Sequence, residues 1–291
     1  MLWAGLKTGP YMRSVFEIES TVMKLCRFQP LEIEWNAVIG VATPVRPEPR
    51  FGVIEGDTVR QIAGDLYGMW YTVNASWPLD RVKLLPPVAP SKVVCLGRSY
   101  RAHAAELGNP VPTEPLIFLK PPSAIIGPDE PIVLPPVSQR VDHEAELAIV
   151  IGKRCAKLAE GAPAAPYILG YTCLNDVTAR DLQKKDVQFT RGKGFDSFCP
   201  LGPAIETELD LASTTVEAYV NGERRQHGRV ADLLFSVDAI IGWISRVMTL
   251  EPGDVVATGT PPGVGPLKAG DVVEVVVSGV GTLRNPVVAE G

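Results

Sequence analysis

The chain has 291 residues, with 28 Lys and Arg against 33 Asp and Glu, which gives a formal net charge of −5. Hydrophobic residues make up 46% and charged residues 21%, which excludes disorder of the whole chain. The mild negative charge and the lack of a basic tract exclude a nucleic-acid partner, and no apolar run reaches the ~18 residues of a membrane span.

Gly and Pro number 27 each, a density of backbone punctuation that favours many short strands over a helix bundle. Residues 1–22 share no pattern with the rest of the chain and are expected to be an upstream extension before Met23. A strand is predicted from Met23 to Phe28. Pro30, Pro44, Pro47 and Pro49 then predict loop over residues 29–50. Phe51–Val59 reads as a hairpin turning at Glu55-Gly56-Asp57. Pro86, Pro87 and Pro90 mark a boundary, so residues 23–90 are expected to form a small N-terminal domain and 91–291 a larger second one.

Beyond that boundary the pattern predicts strands at Lys92–Leu96, Leu116–Leu119, Glu144–Ile151, Thr215–Val220, Val255–Thr258 and Val272–Val277. Asn221-Gly222 predicts a tight hairpin turn. Helices are predicted at Arg98–Leu107, Thr178–Lys185 and within Ala231–Met248, whose Leu234, Val237, Ile240, Ile241, Ile244 and Val247 keep helical spacing. The five cysteines are scattered and none forms a C-x-x-C pair, so neither a zinc site nor a disulfide framework is indicated. A reducing, cytoplasmic setting is the expectation.

Five segments carry candidate chemistry. In His143–Ile151 a strand would put Glu144 and Glu146 on one face, where two carboxylates repel unless a cation lies between them. An exposed acidic face is the plainer explanation. Asp176 stands where a strand gives way to a helix, so it is either a helix cap or a third carboxylate. Three carboxylates would make an all-oxygen site suited to Mg²⁺, Mn²⁺ or Ca²⁺. His103 and Glu106, three apart on a helix, are either a surface pair or a base with its orienting carboxylate. His143 reads as support for the site and His227 as a solvated loop residue or a rim contact. The glycines around Lys193 would let it approach a ligand, though without the spacing of a phosphate loop, and Thr258–Gly265 is a Gly-rich turn that does not fit a dinucleotide fingerprint.

Together these segments resemble the fumarylacetoacetate hydrolase family over residues 92–288. The resemblance implies a mainly β protein with some helices (α+β), a rolled mixed β-sheet catalytic domain, and usually a homodimer. It implies that Glu144, Glu146 and Asp176 hold Mg²⁺ or Mn²⁺, that His103 and Glu106 activate water, and that Lys193 polarises a substrate carbonyl. Arg98, Gln183 and Thr260 fall at substrate-contacting positions. Two positions depart from the family. Leu96 stands where the larger animal-type hydrolase has a fourth acidic ligand, and Ser99 stands where Asn is common. The implied activity is action on a small 2-oxo or 1,3-dioxo acid through a metal-stabilised enolate. Either C–C hydrolysis or isomerisation of a 2-hydroxy-diene-dioate in aromatic catabolism would result from it. Oxaloacetate decarboxylation, or metal and ligand binding without catalysis, are the alternatives.

Overall fold

The computed structural model describes residues 22–32, 34–38, 41–45, 47–106 and 108–291. The expected extension over 1–22 lies outside the described residues, apart from Val22. Strands dominate, with few helices, as expected. The largest sheet has twelve strands among the described residues. Its centre is the strand Ala145–Ile151, flanked antiparallel by Ile168–Asn175 on one side and Val255–Ala257 on the other. All seven residues of Ala145–Ile151 are buried, which is why the sequence there is an almost continuous apolar run.

Alternation along that strand sorts its side chains between layers. Ile149 and Ile151 meet Ile240, Ile241 and Ile244 of the helix Val237–Val247. Burial of one such side chain stabilises by about 1.5–3 kcal/mol. Ser236 caps this helix, accepting from the Ala239 N–H. Ala145 and Leu147 pack against a second, five-stranded sheet through Val216, Ala218, Val275 and Val277. In that sheet Thr215–Val220 turns into Glu223–Arg229 through Asn221 (φ 53°) and Gly222 (φ 78°), the paired left-handed residues of a two-residue hairpin. A small three-stranded sheet joins Val141–His143 to Thr178–Ala179 and Gly265–Pro266. It gathers three distant segments beside the start of Ala145–Ile151.

The N-terminal segment belongs to the same large sheet. The strand Lys24–Pro30 pairs with Arg50–Glu55 and Val82–Leu85, and it reaches the strand Cys199–Glu206 through Lys24↔Glu206 and Leu25↔Ile205. Leu25, Val53 and Ile62 share one apolar cluster with Val93, Ala148, Val150 and Leu174.

Several expectations are corrected. Among the described residues, 29–50 are not loop throughout: a two-stranded hairpin pairs Glu34–Val38 with Val41–Val45, and the first strand runs on to Pro30. Pro44 sits in that hairpin opposite Trp35, a place where an edge position needs no donated hydrogen bond. The first helix spans only Arg101–Glu106, because Arg98 is left-handed (φ 58°) and Tyr100 makes a β-bridge to Leu233. The second begins at Arg180, after the short strand Thr178–Ala179. The apolar spacing over Ala231–Met248 covers a 3-10 turn, Val230–Asp232, and the helix proper from Val237. Glu144 lies between two strands rather than in one, and His227 lies in a strand rather than a loop.

Candidate active site

A cavity of about 490 Å³ opens where the small sheet, the first helix and the Gly-rich turn converge. His103, Glu106, Glu144, Glu146, Lys193, Arg98, Gln183 and Thr260 all line it. Asp176 joins them from beneath: one carboxylate oxygen from each of Glu144, Glu146 and Asp176 lies within 4.8 Å of the others, and all three residues are buried. The exposed acidic face is thereby excluded. So is the cap, because the helix Arg180–Asp186 starts from Ala179 with no side-chain cap.

The chain places each carboxylate by its own backbone bonds. Glu144 comes directly after the strand Val141–His143; its N–H donates to Asn175 Oδ1 (2.9 Å) and its carbonyl accepts from the Asp176 N–H (2.8 Å). Glu146 lies two residues further, on the same face, and its Oε2 accepts from the Gly259 N–H at 2.6 Å. Gly259 has φ +96°, and a Cβ there would lie 1.8 Å from Ser99 Oγ, so only glycine fits.

Charge around the carboxylates is unevenly distributed. Glu144 is gripped on both oxygens, by Arg180 Nη2 at 2.5 Å and Lys193 Nζ at 2.7 Å. Asp176 is held on Oδ1 by Lys120 Nζ at 2.6 Å and on Oδ2 by Lys193 Nζ at 2.5 Å. Burial pushes the Glu144 carboxyl up, but Lys193 and Arg180 together hold it well below the usual range. Among the described residues, no cation is in hydrogen-bonding contact with Glu146. Burial raises it well above its usual value, and the charges of Asp176 and Glu144 raise it further. Burial lowers Lys193, but Asp176 and Glu144 outweigh it and keep the ammonium charged.

A divalent cation fits this arrangement. Three oxygen donors converge, and one of them, Glu146, is pushed toward neutrality by burial and then by the charges of the other two. Hard-cation chemistry matches an all-carboxylate donor set.

Across the cavity, His103 is 5% exposed and its Nδ1 lies 3.2 Å from Glu106 Oε2. A carboxylate only accepts, so Nδ1 is the donor in this contact, and in the neutral imidazole Nε2 is the acceptor. The Gly263 N–H donates to Glu106 Oε1 at 2.9 Å and fixes the carboxylate. Phe118 forms one wall, with Lys193 Nζ 5.0 Å above its ring and Phe189 edge-on at 5.4 Å. Leu96 leaves that stretch of the lining apolar. Arg98 and Val187 (φ 63°) both line the cavity in left-handed backbone, which costs about 1–3 kcal/mol each.

Three further residues have roles that local pattern did not reveal. Lys120 ends a short apolar strand and is fully buried under Asp176. Arg180 ties Glu144 to Asp142 (2.9 Å) and to Gln183 (2.8 Å); its spacing to Gln183, one helical turn, was the available signal. Gln226 comes from the five-stranded sheet. Its Oε1 accepts from His143 Nδ1 and the Ala145 N–H, both at 3.0 Å, and its Nε2 donates to Thr260 Oγ1 and Pro261 O, both at 2.7 Å. Thr260 Oγ1 in turn donates to Ala145 O, so its hydroxyl proton is already committed. His143 therefore braces the site through Gln226, while His227 pairs with Glu217 on the exposed side.

Residues 92–288 match the family model described as fumarylacetoacetate (FAA) hydrolase C-terminal, and residues 45–87 match one described as Rv2993c-like, N-terminal. Protein Rv2993c of Mycobacterium tuberculosis is 50% identical over 237 residues, covering 80% of this chain and 89% of that protein. A Xenopus laevis protein named oxaloacetate tautomerase fahd2, mitochondrial, is 45% identical over 222 residues, covering 72% of this chain and 69% of its own. The crystal structure of 5-carboxymethyl-2-hydroxymuconate delta-isomerase from Mycobacterium smegmatis superposes with a TM-score of 0.81 at 45% identity, over 92% of this chain and 100% of that one.

Proposed function

The chain belongs to the fumarylacetoacetate hydrolase family, and from that premise we propose that it is a divalent-metal-dependent isomerase that moves a proton on the enol form of a small 2-oxo acid. The observation that carries this is a base and a carboxylate triad gathered at one cavity: His103 on one wall, Glu144 and Glu146 on the other, with Asp176 beneath them. Two of the relatives, one named as a tautomerase and one as a delta-isomerase, support the same class of step.

Glu144, Glu146 and Asp176 would hold the cation, Mg²⁺ or Mn²⁺, with Ca²⁺ as a third candidate. When bound it supplies Lewis-acid polarisation of the 2-oxo group. Lys193 uses two of its three N–H bonds on Glu144 and Asp176, and the third is available to the oxygen on which enolate charge develops. His103 Nε2 takes the proton from the carbon next to the carbonyl and returns it to carbon or oxygen. Glu106 stabilises the imidazolium meanwhile. Gln183, held by Arg180, supplies a polar contact beside Lys193. A homodimer, a cytoplasmic setting and a place in aromatic catabolism complete the proposal. Five buried free thiols, and the absence among the described residues of any helix long and apolar enough to cross a membrane, are in keeping with that setting.

The test monitors enol-to-keto conversion of oxaloacetate by ultraviolet absorbance with added Mg²⁺ or Mn²⁺. His103→Ala should bind Mn²⁺ as the parent does and lose about 10²–10⁴-fold in rate. An unchanged rate would refute the base assignment. A second reading, C–C hydrolysis of an acylpyruvate, is favoured by the free lone pair of His103 Nε2, which can equally take a proton from water. Acetylpyruvate cleavage by the same preparation decides between them, and CO₂ release from oxaloacetate would mark decarboxylation.

A further inference from the structure

The strands Val93–Gly97 and Val255–Ala257 run parallel, with Cys95 paired to Ala257, so the chain leaves both at the same end of the sheet. Arg98, Ser99 and the helix bearing His103 follow the first strand; the Gly-rich turn from Thr258 follows the second. These two segments are anchored unequally. The turn is bonded to the central strand along its length. The Thr258 N–H and hydroxyl both donate to Leu147 O (3.0 and 2.9 Å), the Gly259 N–H donates to Glu146 Oε2 (2.6 Å), and Thr260 Oγ1 donates to Ala145 O (2.8 Å). The helix Arg101–Glu106 has six residues, too few to hold its shape unaided. It is tied to the turn at both ends. Ser99 Oγ donates to Thr258 O at 2.5 Å just before the helix, and Glu106 Oε1 accepts from the Gly263 N–H at its last residue.

Ser99 is 1% exposed and lies behind the cavity lining rather than in it. Its carbonyl accepts from the Leu234 N–H at 2.8 Å, which fixes its backbone. Its hydroxyl fills the room that Gly259 leaves by lacking a Cβ. We propose that Ser99 is a positioning residue: its hydroxyl clamps the base-bearing helix to the turn that holds Glu146, and so fixes the separation between His103 and the carboxylate triad. This rests on the reading of His103 as the base and adds the group that aims it.

Ser99→Ala removes the clamp at the loss of one oxygen and leaves the anchors of the turn in place. With Mn²⁺ bound, kcat for oxaloacetate tautomerisation should fall about 10–100-fold, the cost of a reacting group displaced by about 1 Å, while KM and the Kd for Mn²⁺ change less than about twofold. Because Ser99 acts through His103, the double variant Ser99→Ala/His103→Ala should be no slower than His103→Ala alone. A merely structural role would add its loss in both backgrounds. Hydrogen exchange of the Mn²⁺-loaded Ser99→Ala protein, read by mass spectrometry, should quicken over residues 100–106 and stay parent-like over 258–263. An unchanged kcat, a loss that adds in full in the double variant, or exchange that quickens throughout the chain overturns the proposal. A parent that turns over neither oxaloacetate nor acetylpyruvate overturns the functional reading; unchanged exchange over residues 100–106 in Ser99→Ala overturns the clamp separately.

Discussion

Loading the triad with a cation should expel a proton from Glu146. Glu144 is already ionised, because Lys193 and Arg180 overcome its burial. Glu146 is raised by burial and then by the charges of Asp176 and Glu144, which the Gly259 N–H and the Lys193 charge do not offset. In protein stripped with EDTA it therefore keeps a proton at pH values where an ordinary carboxylate has lost it. Below that raised pKa the apparent Kd for Mn²⁺ should fall about tenfold per pH unit, about 1.4 kcal/mol, and level off above it. The same shift has a stability consequence of definite sign. A folded pKa above the unfolded one contributes stability that is complete below the unfolded value and lost as pH rises through the folded one. The stripped protein should thus lose stability above the ordinary carboxylate range, and metal should restore it. Calorimetry in buffers of different ionisation enthalpy counts the proton, and Glu146→Gln should abolish the pH slope. A Kd unchanged from about pH 5 to pH 8 in the parent, with heats independent of buffer, would refute the reasoning.

Other perturbations have equally direct readouts. Lys120→Met removes a fully buried cation from Asp176 and should cost about 3–5 kcal/mol, lowering Tm by roughly 6–20 °C in a scanning calorimeter. Gly259→Ala should weaken Mn²⁺ binding and lower Tm, since the added Cβ meets Ser99 and forces the loop that holds Glu146; parent-like affinity would count against that loop. Val187→Gly should raise Tm by about 2–4 °C, because Val187 is 81% exposed and little packing is lost when its left-handed strain is relieved. A fall in Tm would show that the valine side chain packs in solution.

The parts of this molecule legible in its sequence are those whose cause is local. The buried centre of the sheet shows in the run Ala145–Ile151, and the Asn221-Gly222 turn shows in its two residues. Glu144 and Glu146 share a cavity because strand alternation survives even though Glu144 lies just outside the strand. What stayed hidden depends on partners far along the chain. Lys120 meets Asp176 across 56 residues, and Gln226 reaches back 83 to His143 and forward 34 to Thr260. No short-range periodicity encodes such pairings. Proline misled over residues 29–50 because an isolated hairpin tolerates it in a strand, so composition there argued against the structure that formed.

The strand Lys24–Pro30 and the apolar cluster joining Leu25, Val53 and Ile62 to Ala148, Val150 and Leu174 also constrain how this protein could be dissected. A truncation starting near residue 91 would strip one side of that cluster to water and open one edge of the strand Cys199–Glu206 at Ile205 and Glu206, the kind of raw margin that recruits other chains. The N-terminal segment is thus a permanent wall of the catalytic body, and a shortened version is expected to aggregate rather than to work as a minimal enzyme.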